Sequence, residues 1–212
     1  MEAVIRSICA AGSASHRFFG GTWTGGYYLQ QNPAELAQLM RTLRQSGPFA
    51  DSLEIGIAAG GTTRLIREHV SIGATTVIDD GTHPHHIHWQ RNRVGIERLV
   101  EFIGDSHSPQ AKRFLTAAGR SYDYVAIDGD HSDEGVLQDW QLVQPLLAER
   151  AVVWFHDIHL RRPGGDGVRR LWHEELREKH EVLLETRELS GIGVIRVERA
   201  VCNQAFSGQA DP

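Results

Sequence analysis

The stretch SLEIGIAAGGTT, residues 52–63, decides the fold. Residues 52–56 read as a short buried strand. Small residues at 56, 58, 60 and 61 then let the backbone turn sharply and approach a ligand closely. A helix beginning near Thr62 would aim free N–H groups and its positive dipole end at that ligand. The pattern is acidic-x-Gly-x-small-x-Gly, with Glu54 still inside the strand. It is not the G-x-G-x-x-G spacing of a dinucleotide site.

Working outward, the same alternation of apolar run and helical pattern repeats. Asn32 can cap a helix that Pro33 opens and that runs to about Gln45, with Leu36, Leu39, Met40 and Leu43 on its apolar face. Strands are expected at 74–79, 99–104, 122–128 and 151–155, and helices at 62–69, 108–118, 132–147 and 168–179. Two last strands, 181–186 and 192–197, have only five residues between them. That is too few for a crossover helix, so they pair antiparallel. The fold class is therefore α/β: a mostly parallel, Rossmann-like sheet of seven strands with helices on both faces and a C-terminal antiparallel hairpin. Residues 1–32 read as an N-terminal arm able to act as a lid, 33–200 as the domain, and 201–212 as a tail. The Gly-rich loop 20–26 and the aromatics Trp23, Tyr27 and Tyr28 belong to that arm.

Composition narrows the function. The chain has 212 residues, 41% hydrophobic and 23% charged, with a formal net charge of -5. No basic excess exists to release counterions, which argues against nucleic acid as partner. Cys9 and Cys202 are too few and too far apart for a disulfide framework. No signal peptide and no membrane-length apolar run is visible, so a cytoplasmic protein with no membrane partner is expected. A homo-oligomer is left open.

In such sheets a ligand lies beyond the carboxyl ends of the strands. Strand two ends in Asp79-Asp80, where a carboxylate can accept from a ribose diol; Asp79 ends the apolar run and is favoured. Strand three ends in Gly104-Asp105-Ser106. Strand four ends in Asp128-Gly129-Asp130-His131, and strand five in His156-Asp157. Five ionisable groups at two adjacent strand ends are costly to bury unless paired, protonated or metal-bound. They point to an acid–base site or a divalent cation site. The run His83, His85, His86, His88 fits no zinc spacing.

The loop at 54–60 resembles the first motif of class I S-adenosylmethionine (SAM)-dependent methyltransferases. With IDGDHSDEGVLQDWQLVQPLL and VVWFHDI, residues 27–197 resemble one family among them. Its relatives are the macrocin- and mycinamicin-type O-methyltransferases and the cephalosporin hydroxylase-like proteins. The resemblance implies SAM as cofactor, bound by Glu54, Gly56, Ala58, Gly60, Asp79, Asp80, Asp105 and Ser106. It implies His131 as general base and Asp128, His156 and Asp157 as ligands of a divalent metal, Mg or Mn. His156 departs from the acidic residue of the metal-dependent members, and imidazole suits Zn, Fe, Ni or Cu better than Mg. The implied activity is O-methylation of a hydroxylated small molecule, a sugar or secondary metabolite. A metal-dependent hydrolase built on the same Asp/His cluster, without SAM, is the alternative.

Overall fold

The computed structural model describes residues 1–3, 5, 31–161, 164–188 and 190–199. The Gly-rich loop, Trp23, Tyr27, Tyr28, both cysteines, most of the expected arm and the expected tail lie outside them.

Helix α1 (Pro33–Ser46) opens as its sequence requires: the Asn32 side chain accepts from the amides of Ala34 and Glu35, and Pro33 occupies the first turn. It is followed by β1 (Phe49–Ile55), α2 (Gly61–His69), β2 (Ile72–Asp79), α3 (Trp89–Asn92), β3 (Leu99–Ile103), α4 (Pro109–Ala118) and β4 (Tyr122–Ile127). Then come α5 (Asp133–Val143), β5 (Leu147–His156), α6 (Gly167–Leu171), α7 (Arg177–Lys179), β6 (Glu181–Glu185) and β7 (Ile192–Glu198). A π-helical turn, Trp172–Leu176, joins α6 to α7. The helix expected to reach residue 147 stops earlier, because Pro145 lacks the amide that would continue it.

The seven strands form one sheet in the order β3-β2-β1-β4-β5-β7-β6. All are parallel except β7, which pairs antiparallel with both neighbours. Alternate residues of β4 feed opposite faces. Val125 and Ile127 join Val153, Phe155, Val136, Trp140 and Trp172 in one core, beneath α5 and α6. Tyr124 and Ala126 join Val152, Trp154, Leu36, Met40 and Leu65 in the other, beneath α1 and α2. Both faces are covered, so the strands are apolar throughout rather than alternating with polar residues.

Backbone bonds carry the ladder past the strand ends: the Gly56 amide donates to Ile78 O, that of Asp128 to Ile55 O and that of Gly104 to Asp79 O. The carboxyl ends of β1 to β4 are thus held level at one edge. Among the described residues no helix is long and apolar enough to cross a membrane.

Candidate active site

A cavity of about 750 Å³ opens at that edge. This is the size of a small-molecule site. It is lined by the loop after β1 and by the ends of β4 and β5.

The β1 loop is built from left-handed backbone: φ is +81° at Gly56, +47° at Ala58 and +74° at Gly60. Gly60 could not be another residue, since a Cβ there would stand 2.2 Å from the Trp89 ring. It opens α2 with no side-chain cap, so the first-turn amides face outward as an anion- and dipole-binding edge. Glu54 sits at the floor, buried. Its Oε2 accepts from Thr63 Oγ1 at 2.7 Å, and its Oε1 has no partner. Burial pushes the Glu54 carboxyl up to about 7, against the opposing pull of that hydrogen bond.

The ends of β4 and β5 bring four side chains into one cluster. His131 Nδ1 lies 3.1 Å from Asp157 Oδ2, and His131 Nε2 lies 3.3 Å from Asp128 Oδ1. His156 Nδ1 lies 3.1 Å from Asp157 Oδ1 and 3.4 Å from Asp128 Oδ1. Burial works against ionisation of all four, yet mutual pairing outweighs it. It raises His131 to about 10 and His156 to about 9. It holds Asp128 and Asp157 below the ordinary carboxylate range. The cluster is two carboxylates and two imidazole rings in mutual contact, and that pairing favours the charged form of each.

That arrangement does not fit the expected cation. His131 points both ring nitrogens at carboxylates, and His156 points Nδ1 between the same two. A protonated imidazole donates hydrogen bonds and has no lone pair for a metal. Among the described residues no group of three or more His, Cys, Asp or Glu is disposed to hold a metal ion. The expectation of Asp128, His156 and Asp157 as ligands of a divalent metal gains no support here, although the three side chains do stand together.

Of the expected cofactor residues, Glu54, Gly56 and Ala58 line the cavity, while Gly60 packs beneath it. Asp79 has another task. Its Oδ2 accepts from the amides of Ile57 and Ala58, and its Oδ1 from that of Gly81 while facing the His86 ring at 2.9 Å. These bonds hold the β1 loop in shape and leave the carboxylate little capacity for a ribose. Asp80 is exposed and closes a turn with Thr82. Asp105 accepts from the His107 amide, and Ser106 Oγ donates to Asp139 at 2.7 Å; neither lines the cavity. Of the four histidines of 83–88, His83 lines the cavity and lies 5.2 Å, ring to ring, from His85, which in turn stacks on His88, while His86 faces Asp79.

Sequence reasoning passed over Gln31 and Asp139. Gln31 Nε2 donates to Asp128 Oδ2 at 3.2 Å, and its Oε1 accepts from Thr62 Oγ1, tying the helix edge of α2 to the acid cluster. Asp139, buried inside α5, also faces the His107 ring. Asp139 lies within the stretch 127–147 and Gln31 within the resembling region 27–197, but only the three-dimensional pairing gives either a part at the site.

A mostly parallel sheet whose glycine-rich first turn faces an acid–base cluster across one cavity is a Rossmann-like build of the kind that binds nucleotide cofactors. A family model described as "Methyltransferase domain" matches residues 53–158, half of the chain. The chain belongs to this family, the SAM-dependent methyltransferases of class I. Solved structures agree in fold. The N-methyltransferase NodS from Bradyrhizobium japonicum WM9 is 20% identical, with a TM-score of 0.60, over 81% of this chain and 100% of that one. The O-methyltransferase TomG from Streptomyces achromogenes, involved in tomaymycin synthesis and solved with SAM, is 18% identical with a TM-score of 0.60 over 80% and 81%. An O-methyltransferase from Bacillus cereus, solved with S-adenosylhomocysteine, is 16% identical with a TM-score of 0.58 over 93% and 90%. No protein of curated function matches the chain in sequence. The hydrolase alternative finds no support in these relationships.

Proposed function

We propose that this protein transfers a methyl group from SAM to a hydroxyl oxygen of a small molecule, such as a sugar or secondary metabolite, and that His131 takes the hydroxyl proton. The observation that carries the reading is the placing of His131 in the cavity between Asp157 and Asp128. Its Nδ1 contact with Asp157 fixes the ring and its tautomer. Its Nε2 contact with Asp128 is the longer one, and an incoming hydroxyl can replace it. Losing that carboxylate contact lowers the basicity of His131 toward a working range as the acceptor binds. A hydroxyl needs this help more than an amine, whose free lone pair is already nucleophilic; this favours oxygen.

Bound SAM supplies a methyl group on a positively charged sulfur, ready for in-line displacement. The chain's part is placement. Glu54, with Oε1 unpartnered and buried at the cavity, suits the cationic amino-acid end of the cofactor. Gly56, Ala58 and the uncapped start of α2 suit its close approach. Asp79 and Asp80, at the end of the strand beside the β1 loop, remain the candidates for the ribose. Asp105 and Ser106 remain the candidates beside the base. The working domain is residues 33–200.

Calorimetric titration of S-adenosylhomocysteine into metal-stripped protein tests the cofactor; micromolar binding is expected, and no binding sinks the reading. Labelled-methyl transfer to alcohol and amine panels then tests the acceptor. Undiminished turnover in His131→Asn would remove His131 as the base.

A further inference from the structure

Gln31 is buried at the cavity, which it lines together with Glu54, Thr62 and Asp128. Its Oε1 accepts from Thr62 Oγ1 in the first turn of α2, and its Nε2 donates to Asp128 Oδ2 at 3.2 Å. Chemistry sets the orientation of the amide, because a carboxylate only accepts. One end of the carboxamide is therefore an acceptor at a helix start, and the other a donor against an acid. An α-amino acid presents the same pair of functions: a carboxylate that accepts and an ammonium that donates. The surroundings suit such a guest. Helix α2 begins without a side-chain cap, so its first amides favour a carboxylate. Glu54 Oε1, buried and without a partner, offers an ammonium an acceptor in addition to Asp128.

We propose that Gln31 is a stand-in for the amino-acid end of the cofactor: its carboxamide bridges Thr62 and Asp128 in the cofactor-free protein and swings out when the methionyl group of SAM arrives. The proposal rests on the reading of this cavity as the SAM site. Without cofactor the bridge satisfies a hydroxyl and a carboxylate that are costly to leave unpaired. With cofactor the same two groups are released to the guest. The bridge competes only with ligands that carry the amino-acid group. Gln31 is thus a specificity-determining residue that loosens the hold on S-adenosylhomocysteine, the product to be released, and leaves the nucleoside end alone.

Calorimetry on the whole protein compares two probes. One is S-adenosylhomocysteine; the other is 5′-methylthioadenosine, which keeps the nucleoside and the sulfur but lacks the amino-acid group. Gln31→Ala is expected to bind S-adenosylhomocysteine about 3–10-fold more tightly, the worth of one hydrogen bond no longer surrendered, and to bind methylthioadenosine as native protein does. Weaker S-adenosylhomocysteine binding in the variant would make Gln31 a ligand of the amino-acid end and overturn the proposal. An equal change for both probes, or none for either, overturns it as well. Side-chain amide resonances of the native protein guard against a variant that fails to fold. The Gln31 signals should move on adding S-adenosylhomocysteine and stay in place with methylthioadenosine; the same response to both refutes the idea. Failure of either probe to bind native protein would instead sink the cofactor reading itself, and the proposal with it.

Discussion

Replacing Gly56 by alanine puts the geometry of the cavity to a quantitative test. Gly56 turns at φ +81°, and a Cβ on it would lie 2.2 Å from the Asp128 carbonyl oxygen and 2.7 Å from Gly129 Cα. Real Cβ contacts essentially never fall under 3.0 Å, so the end of β4 must retreat by about 0.8 Å. The left-handed backbone costs about 1–2 kcal/mol. Forcing the strand end outward adds about 1–3 kcal/mol. Asp128 is carried along, away from Gln31 and both imidazoles, and a shift near 1 Å costs about 10²-fold in turnover. Gly119 provides the control. It too is left-handed, at φ +59°, but nothing lies within 4 Å of its missing Cβ. Gly119→Ala should lose only about 1–2 kcal/mol in urea unfolding, with turnover and S-adenosylhomocysteine affinity unchanged. Gly56→Ala should lose about 2–5 kcal/mol together with most activity. Native turnover in Gly56→Ala, or an equal loss of turnover in Gly119→Ala, would refute the argument.

Glu54 holds a proton in the folded cofactor-free protein that the unfolded chain releases between pH 4.5 and about 7. Stability therefore falls as pH rises through that window, by about 3 kcal/mol. Glu54→Gln should abolish the slope, be the more stable form at pH 8, and bind S-adenosylhomocysteine more weakly; a persisting slope counts against the assignment. Asp79→Asn should slacken the β1 loop. The expected loss is about 1–3 kcal/mol, seen as roughly 10–100-fold weaker S-adenosylhomocysteine binding by calorimetry, and unchanged affinity would show that Asp79 does not shape the loop. kcat/KM for the acceptor should climb with pH between 7 and 9, because His131 of the free enzyme is mostly protonated below its pKa of about 10; a flat profile argues for another base. The stability contributed by charged His131 is complete below pH 6.5 and lost as pH rises to about 10. A thermal midpoint that declines across this range in native protein, and less steeply in His131→Asn, where His156 still titrates up to about 9, is the expected result.

The fold was legible because its signals are local. Apolar runs separated by helical patterns, the Asn32–Pro33 start and the five residues between the last two strands each report on their own stretch. What lay hidden is the position of β7, inserted between β5 and β6, since pairing across a sheet leaves no periodic trace in the chain. β5 also begins earlier than its apolar run, at Leu147, because Glu149 and Arg150 extend it as exposed residues. At the site, residue types at strand ends were enough to pick out Glu54, Asp128, His131, His156 and Asp157. Their roles were not readable, because role follows from partner. Asp79 and Asp80 are chemically identical neighbours, and only the hydrogen bonds from Ile57, Ala58 and Gly81 separate a loop brace from an exposed carboxylate. Gln31 was invisible as a site residue for the same reason: its partners are Thr62 and Asp128, far along the chain.

The segment following β5 is held from behind by the turn between β6 and β7. The amide of His159 donates to Ser190 O at 2.7 Å and that of Ile158 to Gly191 O at 3.3 Å. Asp157, at φ +63°, is kept in its left-handed backbone immediately before them. During synthesis on the ribosome, the acid–base cluster is therefore present in the chain well before the residues that shape it have emerged. The glycine-rich turn can fold with the first strands, but a competent active site is among the last things this protein acquires. A truncation before residue 190 would leave a protein with its chemistry written in and its geometry missing.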